Sequence, residues 1–124
     1  MIREATKYDM PLCVEMMRRY ASEAPISALQ DSKVHDAEHV RNLLTQLIEG
    51  RGFVLVDDKM RGMLAAIITR NVWCPSVLEL RELAWWIDPE YRRGMIGGRL
   101  FVEFSKRAKQ MIESNRVQCV FASL

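Results

Sequence analysis

The chain has 124 residues, 49% of them hydrophobic and 27% charged, with 18 Lys plus Arg against 16 Asp plus Glu for a formal net charge of +2. That fits one globular domain over 1–124, excludes disorder as the default, and argues against nucleic-acid binding or electrostatic attraction to a membrane. No apolar run approaches the roughly 20 residues a bilayer requires. The start Met1-Ile2-Arg3-Glu4 does not read as a secretory leader. Cys13, Cys74 and Cys119 are odd in number and widely spaced, which argues against a disulfide frame or a zinc site and for a reducing, cytoplasmic setting.

Ile2 to Ala5 predicts a short first strand. Thr6 to Asp9 is a polar break, with Asp9 at an N-cap position and Pro11 tolerated in the first turn. Leu12, Cys13, Met16, Met17 and Tyr20 recur at helical spacing and predict a helix over 10–21, in which Met10, Met16 and Met17 fill the core. Ser22 to Lys33, with Pro25, reads as a loop with room for a short turn of helix. Val40, Leu43, Leu44, Leu47 and Ile48 predict a second helix, stopped by Gly50 to Gly52. Phe53–Val56 and Met60–Thr69 predict an antiparallel hairpin about Asp57-Asp58-Lys59, with Gly62 marking a bulge or a close backbone approach.

After a loop from Asn71 to Ser76, Val77 to Ile87 has the bulky apolar end of a central strand. A glycine-bearing loop runs to Gly98. Leu100, Phe101, Phe104, Ala108, Met111 and Ile112 mark a third helix, Asn115 closes it, and 117–122 is a last strand. The order is β-α-α-β-β-β-α-β. Its final strand–helix–strand unit requires parallel pairing if the two strands are neighbours, so the class is α+β with a mixed, mostly antiparallel sheet flanked by helices.

Chemistry concentrates between Leu83 and Leu100, where a strand end passes through Asp88-Pro89-Glu90-Tyr91-Arg92-Arg93-Gly94-Met95-Ile96-Gly97-Gly98-Arg99 into a helix. Free N–H groups at a helix start, three glycines and Arg92, Arg93 and Arg99 suit a pyrophosphate. The plainer alternative is a glycine-rich turn with solvated arginines. Two strand carboxylates, Glu79 and Glu82, are the acid–base candidates beside it. Three positions apart, they face opposite sides of a regular strand unless a bulge intervenes. Either carboxylate also has a plain structural reading, as an ion pair with Arg81. Trp85 and Trp86 must also face opposite ways, and core is the simpler role for both. His35 and His39, at i and i+4, have no evident third ligand, so a solvated pair rather than a metal site is expected. Lys106, Arg107 and Lys109 read as a solvated basic face.

The stretch from Ile87-Asp88-Pro89-Glu90-Tyr91-Arg92 to Gly97 resembles the acetyl-CoA-binding motif of the GNAT superfamily of N-acetyltransferases, with Arg92 at the first loop position and Gly97 at the last. Ile2-Arg3-Glu4-Ala5-Thr6 and Asp9 look like the family's opening strand and helix cap, and the element order agrees over the whole chain. Met95 departs from the pattern, standing where a glycine is usual.

The resemblance implies an enzyme that passes an acetyl group from acetyl-CoA to an amine by direct attack, with no metal. The pyrophosphate would sit on the amides from Arg93 through Gly94, Met95, Ile96 and Gly97 to Gly98, near Arg92 and Arg99. Pantetheine would pair with Trp85, Trp86 and Ile87, an N–H at Trp86 or Ile87 would stabilise the oxyanion, and Glu82 or Glu79 would take the amine proton. Met95 keeps open the alternative of a catalytically weak GNAT-fold module that binds CoA or a protein partner. The acceptor, a small molecule or protein amine, is set by loops 22–35 and 70–77. Family members continue past the last strand with a helix and two strands that often supply a tyrosine for the leaving thiolate. This sequence stops at Leu124, and Tyr8, Tyr20 and Tyr91 lie elsewhere. The expectation is either a C-terminally truncated domain or a short member whose open strand edge favours a homodimer.

Overall fold

The β-branched and aromatic run Gly52–Asp57 (β2) is buried along nearly its whole length, so it is an interior strand, pairing antiparallel with Gly62–Arg70 (β3). The computed structural model, which describes residues 1–30 and 35–122, places Ile2–Glu4 (β1) on one edge of the sheet. Leu78–Ile87 (β4) follows β3 antiparallel, and Cys119–Phe121 (β5) joins β4 in parallel, giving the order β1-β2-β3-β4-β5. Met10–Glu23 (α1), the one-turn Ser27–Gln30 (α2) and Ala37–Gln46 (α3) lie between β1 and β2 in the chain, and Ile96–Glu113 (α4) is the crossover from β4 to β5. The expected order and the mixed α+β sheet are observed, with α2 as the short helical turn for which the 22–33 loop has room. Residues 31–34, part of the expected loop, lie outside the described residues. No described helix is long and apolar enough to cross a membrane.

Alternation along the strands feeds two cores. Val54, Val56, Met63 and Trp86 pack with Met10, Cys13, Met16 and Leu44 under α1 and α3. Phe53, Leu55, Leu64 and Leu80 pack with Leu100 and Phe104 of α4. The period of two along β2 assigns each side chain to one core or the other, which is what pins the strand register. Burial pushes the Cys13 thiol up to about 12, as suits an inert core thiol.

Several local expectations are corrected. Asp9 stands at the N-cap position of α1, as expected, but its side chain makes no capping hydrogen bond to that helix. Thr6 caps a short 3₁₀ turn over 7–9, and the Asp9 carboxylate accepts from the Thr6 N–H at 2.7 Å and from Arg3 at 2.8 Å. The capping signal was correct in kind but belongs to the turn ahead of the helix. The third long helix begins at Ile96, so Gly97 and Gly98 lie in its first turn and not in a loop. Gly62 marks a close approach: a Cβ there would stand 2.8 Å from Ile87 Cδ1 and 3.1 Å from the Trp86 carbonyl oxygen. The bulge falls elsewhere, in β4. Ala65 pairs with Ala84 and Ala66 with Glu82, which leaves Leu83 as the extra residue.

Candidate active site

β4 changes character along its length. At its start, β5 pairs with Glu79, Leu80 and Arg81 only. Beyond Arg81 no described strand lies on that side, so the strands fork and the β4 edge from Glu82 to Ile87 is open. Such an edge carries backbone groups able to pair with an extended ligand. Leu83 bulges just past the fork, which re-aims the side chains that follow.

Glu79, only 3% exposed, is held on the closed side of the fork. Asn71 Nδ2 donates to it at 2.7 Å and Arg81 at 2.9 Å, and these partners, the asparagine first, keep its carboxyl below the usual range. Arg81 in turn lies over the Phe121 ring at 4.2 Å. Glu82 is the first residue past the last β4–β5 pair and is half-buried. Its cross-strand neighbour Ala66 belongs to the α4 core, whereas Glu79 and Arg81 lie opposite Thr69 and Ile67. The two carboxylates therefore do face opposite sides, because the bulge comes after both.

Trp86, 3% exposed, belongs to the α1 core, and Trp85 packs against the α4 core with its ring 5.4 Å from Phe101. Both therefore have the core role expected of them. Yet both also border a cavity of about 290 Å³ at the end of β4, with Ile87, Tyr20, Glu23 and Arg92. Each buries its indole Nε1–H without an acceptor among the described residues. An unmet buried donor costs about 1–3 kcal/mol, and the carbonyl of a bound chain would relieve it.

Arg92 is braced internally. Its Nε donates to the Ile87 carbonyl at 2.8 Å, its far nitrogen pairs with Glu23, and it flanks the Trp86 ring at 5.9 Å. It ties the end of α1 to the end of β4. Asp88 caps the next turn by accepting from the Glu90 N–H at 3.1 Å, and it pairs with Arg19 at 3.2 Å. The capped N–H first, then Arg19, hold its carboxyl below the usual range. The Tyr91 ring packs under Arg61 at 5.4 Å. The Asp-Pro-Glu-Tyr-Arg run thus builds the turn that aims α4.

Met95, the departure from the family pattern, adopts φ −99°, which any residue can occupy, so the turn needs no glycine there. The Gly94 N–H is already used, donating to Tyr91 O at 3.1 Å. The amides of Ile96, Gly97 and Gly98 open α4, where no intrahelical acceptor exists for them. A Cβ on Gly98 would meet nothing within 4 Å, which leaves the approach to these amides clear. Beside them lies a cavity of about 580 Å³ bordered by Gly94, Met95, Gly98, Arg99 and Lys106. Arg93 is exposed nearby. Arg107 of the basic cluster is not a solvated charge, since it pairs with Glu4 at 2.8 Å and Glu103 at 3.3 Å.

A third cavity, of about 340 Å³, lies between α1, α3 and the β4 bulge, bordered by residues that include Tyr20, His35, His39 and Leu83. The two histidines thus border a pocket. His35 precedes the α3 cap Asp36, so the pair does not share a helix face. No cluster of three or more metal-ligating side chains occurs among the described residues. Tyr20 borders both this cavity and the one at the end of β4. In the sequence Tyr20 belongs to the helical spacing of α1 and lies away from the position of the family's tyrosine, and the packing of α1 across β4 brings it to both cavities.

Taken together, these features give the chain the fold of solved structures described as acetyltransferases, which overlie it at low sequence identity. A possible acetyltransferase from Clostridium difficile 630 is 19% identical with a TM-score of 0.69 over 100% of this chain and 78% of its own. An aminoglycoside acetyltransferase from an uncultured soil metagenomic sample is 18% identical with a TM-score of 0.64, over 100% and 76%. The ribosomal-protein-alanine N-acetyltransferase of Brucella melitensis is 21% identical with a TM-score of 0.68, over 89% and 67%. No family model and no curated protein sequence matches the chain.

Proposed function

We propose that the chain is an acetyl-CoA-dependent N-acetyltransferase acting on an amine by direct attack in a ternary complex. The observation that carries this reading is the open β4 edge beyond Arg81, which ends at the free amides of α4 and is flanked by two indole N–H groups lacking acceptors. Pantetheine would run along Trp85, Trp86 and Ile87. The pyrophosphate would meet the amides of Ile96, Gly97 and Gly98, with Arg93 and Arg99 supplying charge. The nucleotide end fits the cavity by Arg99 and Lys106.

In the reaction, the amine nitrogen loses a proton and its lone pair forms the C–N bond at the thioester carbonyl. An N–H of the β4 edge at Trp86 or Ile87 stabilises the oxyanion. The C–S bond then breaks, and CoA leaves as a thiolate that takes up a proton. Glu82, at the fork, is the base we assign, reaching the amine through water in the gap between the strands. Glu79, locked by Asn71 and Arg81, is a positioning group. Tyr20, between the two cavities, is the hydroxyl placed to protonate the thiolate.

The alternative of a degenerate binding module rested on Met95, and a φ that any residue adopts there supports the enzyme reading instead. The test is release of free thiol from acetyl-CoA when amines are supplied. Amine-dependent thiol release is expected, and CoA binding with no turnover across a broad amine panel would favour the binding module.

A further inference from the structure

We infer that the acceptor is a small primary amine with an apolar body, held in the cavity between α1, α3 and the β4 bulge. This inference rests on the acetyltransferase reading and names its second substrate. Continuity is the first argument. Leu83 and Ala84 wall this cavity and directly precede the Trp85–Ile87 segment beside the cavity at the strand end, and Tyr20 borders both spaces. An amine lying over the bulge would reach a thioester lying along the strand end without crossing the sheet.

Chemistry is the second argument. Met17, Ala21, Val40 and Leu43 line the walls, with Leu83 and Ala84 at the floor. These groups reward apolar surface, at about 25 cal/mol per Å² removed from water. Among the described residues the polar groups around them are few: Tyr20 from α1, His35 and Asp36 ahead of α3, and His39 in its first turn. Glu15 of α1 lies near His35 but outside the lining. Among the described residues Asp36 is the only carboxylate lining the cavity, and its Oδ1 already accepts from the His39 N–H at 2.9 Å. A polycation such as an aminoglycoside would bring several ammonium groups against one committed carboxylate, leaving charges desolvated and unpaired.

Size is the third argument. About 340 Å³ is near the lower end of small-ligand pockets, so the space suits a single ring or a short alkyl chain rather than a folded protein surface.

The test uses the whole chain with saturating acetyl-CoA and four acceptors: 2-phenylethylamine, hexylamine, an aminoglycoside and a peptide with an N-terminal alanine. Thiol release gives kcat/KM, and calorimetry with CoA present gives amine affinity separately from turnover. The two apolar amines are expected to lead the other two by tenfold or more, on the order of one favourable methylene-sized contact or better. Ala21→Phe, which fills the pocket, should raise KM for the apolar amines by roughly tenfold while the acetyl-CoA affinity stays within about twofold. Preference for the aminoglycoside or the peptide, or an unchanged amine KM in Ala21→Phe, would overturn the inference while leaving the acetyltransferase reading in place. Absence of acetyl-CoA binding by calorimetry would overturn both.

Discussion

The two ends of β4 solve the same problem in opposite ways. Near Glu79 every charged group has its partner: Asn71 and Arg81 hold the carboxylate, and Arg81 rests on Phe121. Near Ile87 no described strand pairs with the β5-side edge past Arg81, two indoles bury donors that meet no acceptor among the described residues, and the helix that follows presents free amides. Satisfied polar groups need nothing from outside. A sheet edge and buried donors left open cost stability in the free protein, and a ligand that meets them repays it. The same strand therefore anchors the sheet at one end and offers a binding edge at the other.

Four substitutions or conditions probe this contrast. Glu82→Gln, at the fork between the two ends, removes the assigned base and should lower kcat by about a hundredfold or more with acetyl-CoA affinity unchanged. Steady-state rates with calorimetry on the same samples check it. At the open end, Arg99→Glu should weaken acetyl-CoA binding by roughly tenfold through charge repulsion and leave the melting temperature in place. At the closed end the signs reverse. Glu79→Gln keeps the size of the side chain but loses the ion pair with Arg81, so thermal melting should fall while acetyl-CoA affinity holds. A loss of affinity there would mean that the two ends are coupled.

The smallest effect is distant from both ends and serves as a control. Hydrogen bonding from Arg3 lowers the Asp9 carboxyl from 3.8 to about 2. Because the folded value is the lower one, the stabilisation is fully present above the ordinary value and is lost as pH falls through the folded value. The Arg3 side chain is 39% exposed, so solvent screening limits the pair to about 1 kcal/mol. Denaturant melts of wild type and Arg3→Gln should differ near neutral pH and converge as the pH falls from about 4 to about 2.

Periodicity made the architecture readable. Val54 and Val56 against Phe53 and Leu55 give the two cores, and the apolar stripe from Leu100 to Met111 gives the crossover helix. The residues of the candidate site stand out where chemistry is local: the Asp88–Arg99 run leads into the start of α4, and Glu79 and Glu82 lie on opposite sides of β4. Local signals failed where tertiary contacts decide. The Leu83 bulge is specified by pairing with β3, which no pattern in 77–87 encodes. Arg92 reads as a phosphate ligand in the motif, yet Glu23, far away in sequence, claims it. Tyr20 looks like one more residue on an apolar face until α1 packs across β4, while His39 is exposed as expected and His35 half-buried, both at the border of a cavity.

The central claim is that the open end of β4 receives acetyl-CoA, and the three tryptophans allow a direct test. Trp85 and Trp86 stand at that end, while Trp73 is 92% exposed on the loop before β4. In a nitrogen-15 NMR titration with acetyl-CoA, the indole N–H signals of Trp85 and Trp86 should shift together and saturate, as their unmet donors find an acceptor, while that of Trp73 stays in place. Indole signals of Trp85 and Trp86 that do not move at saturating acetyl-CoA would contradict the account.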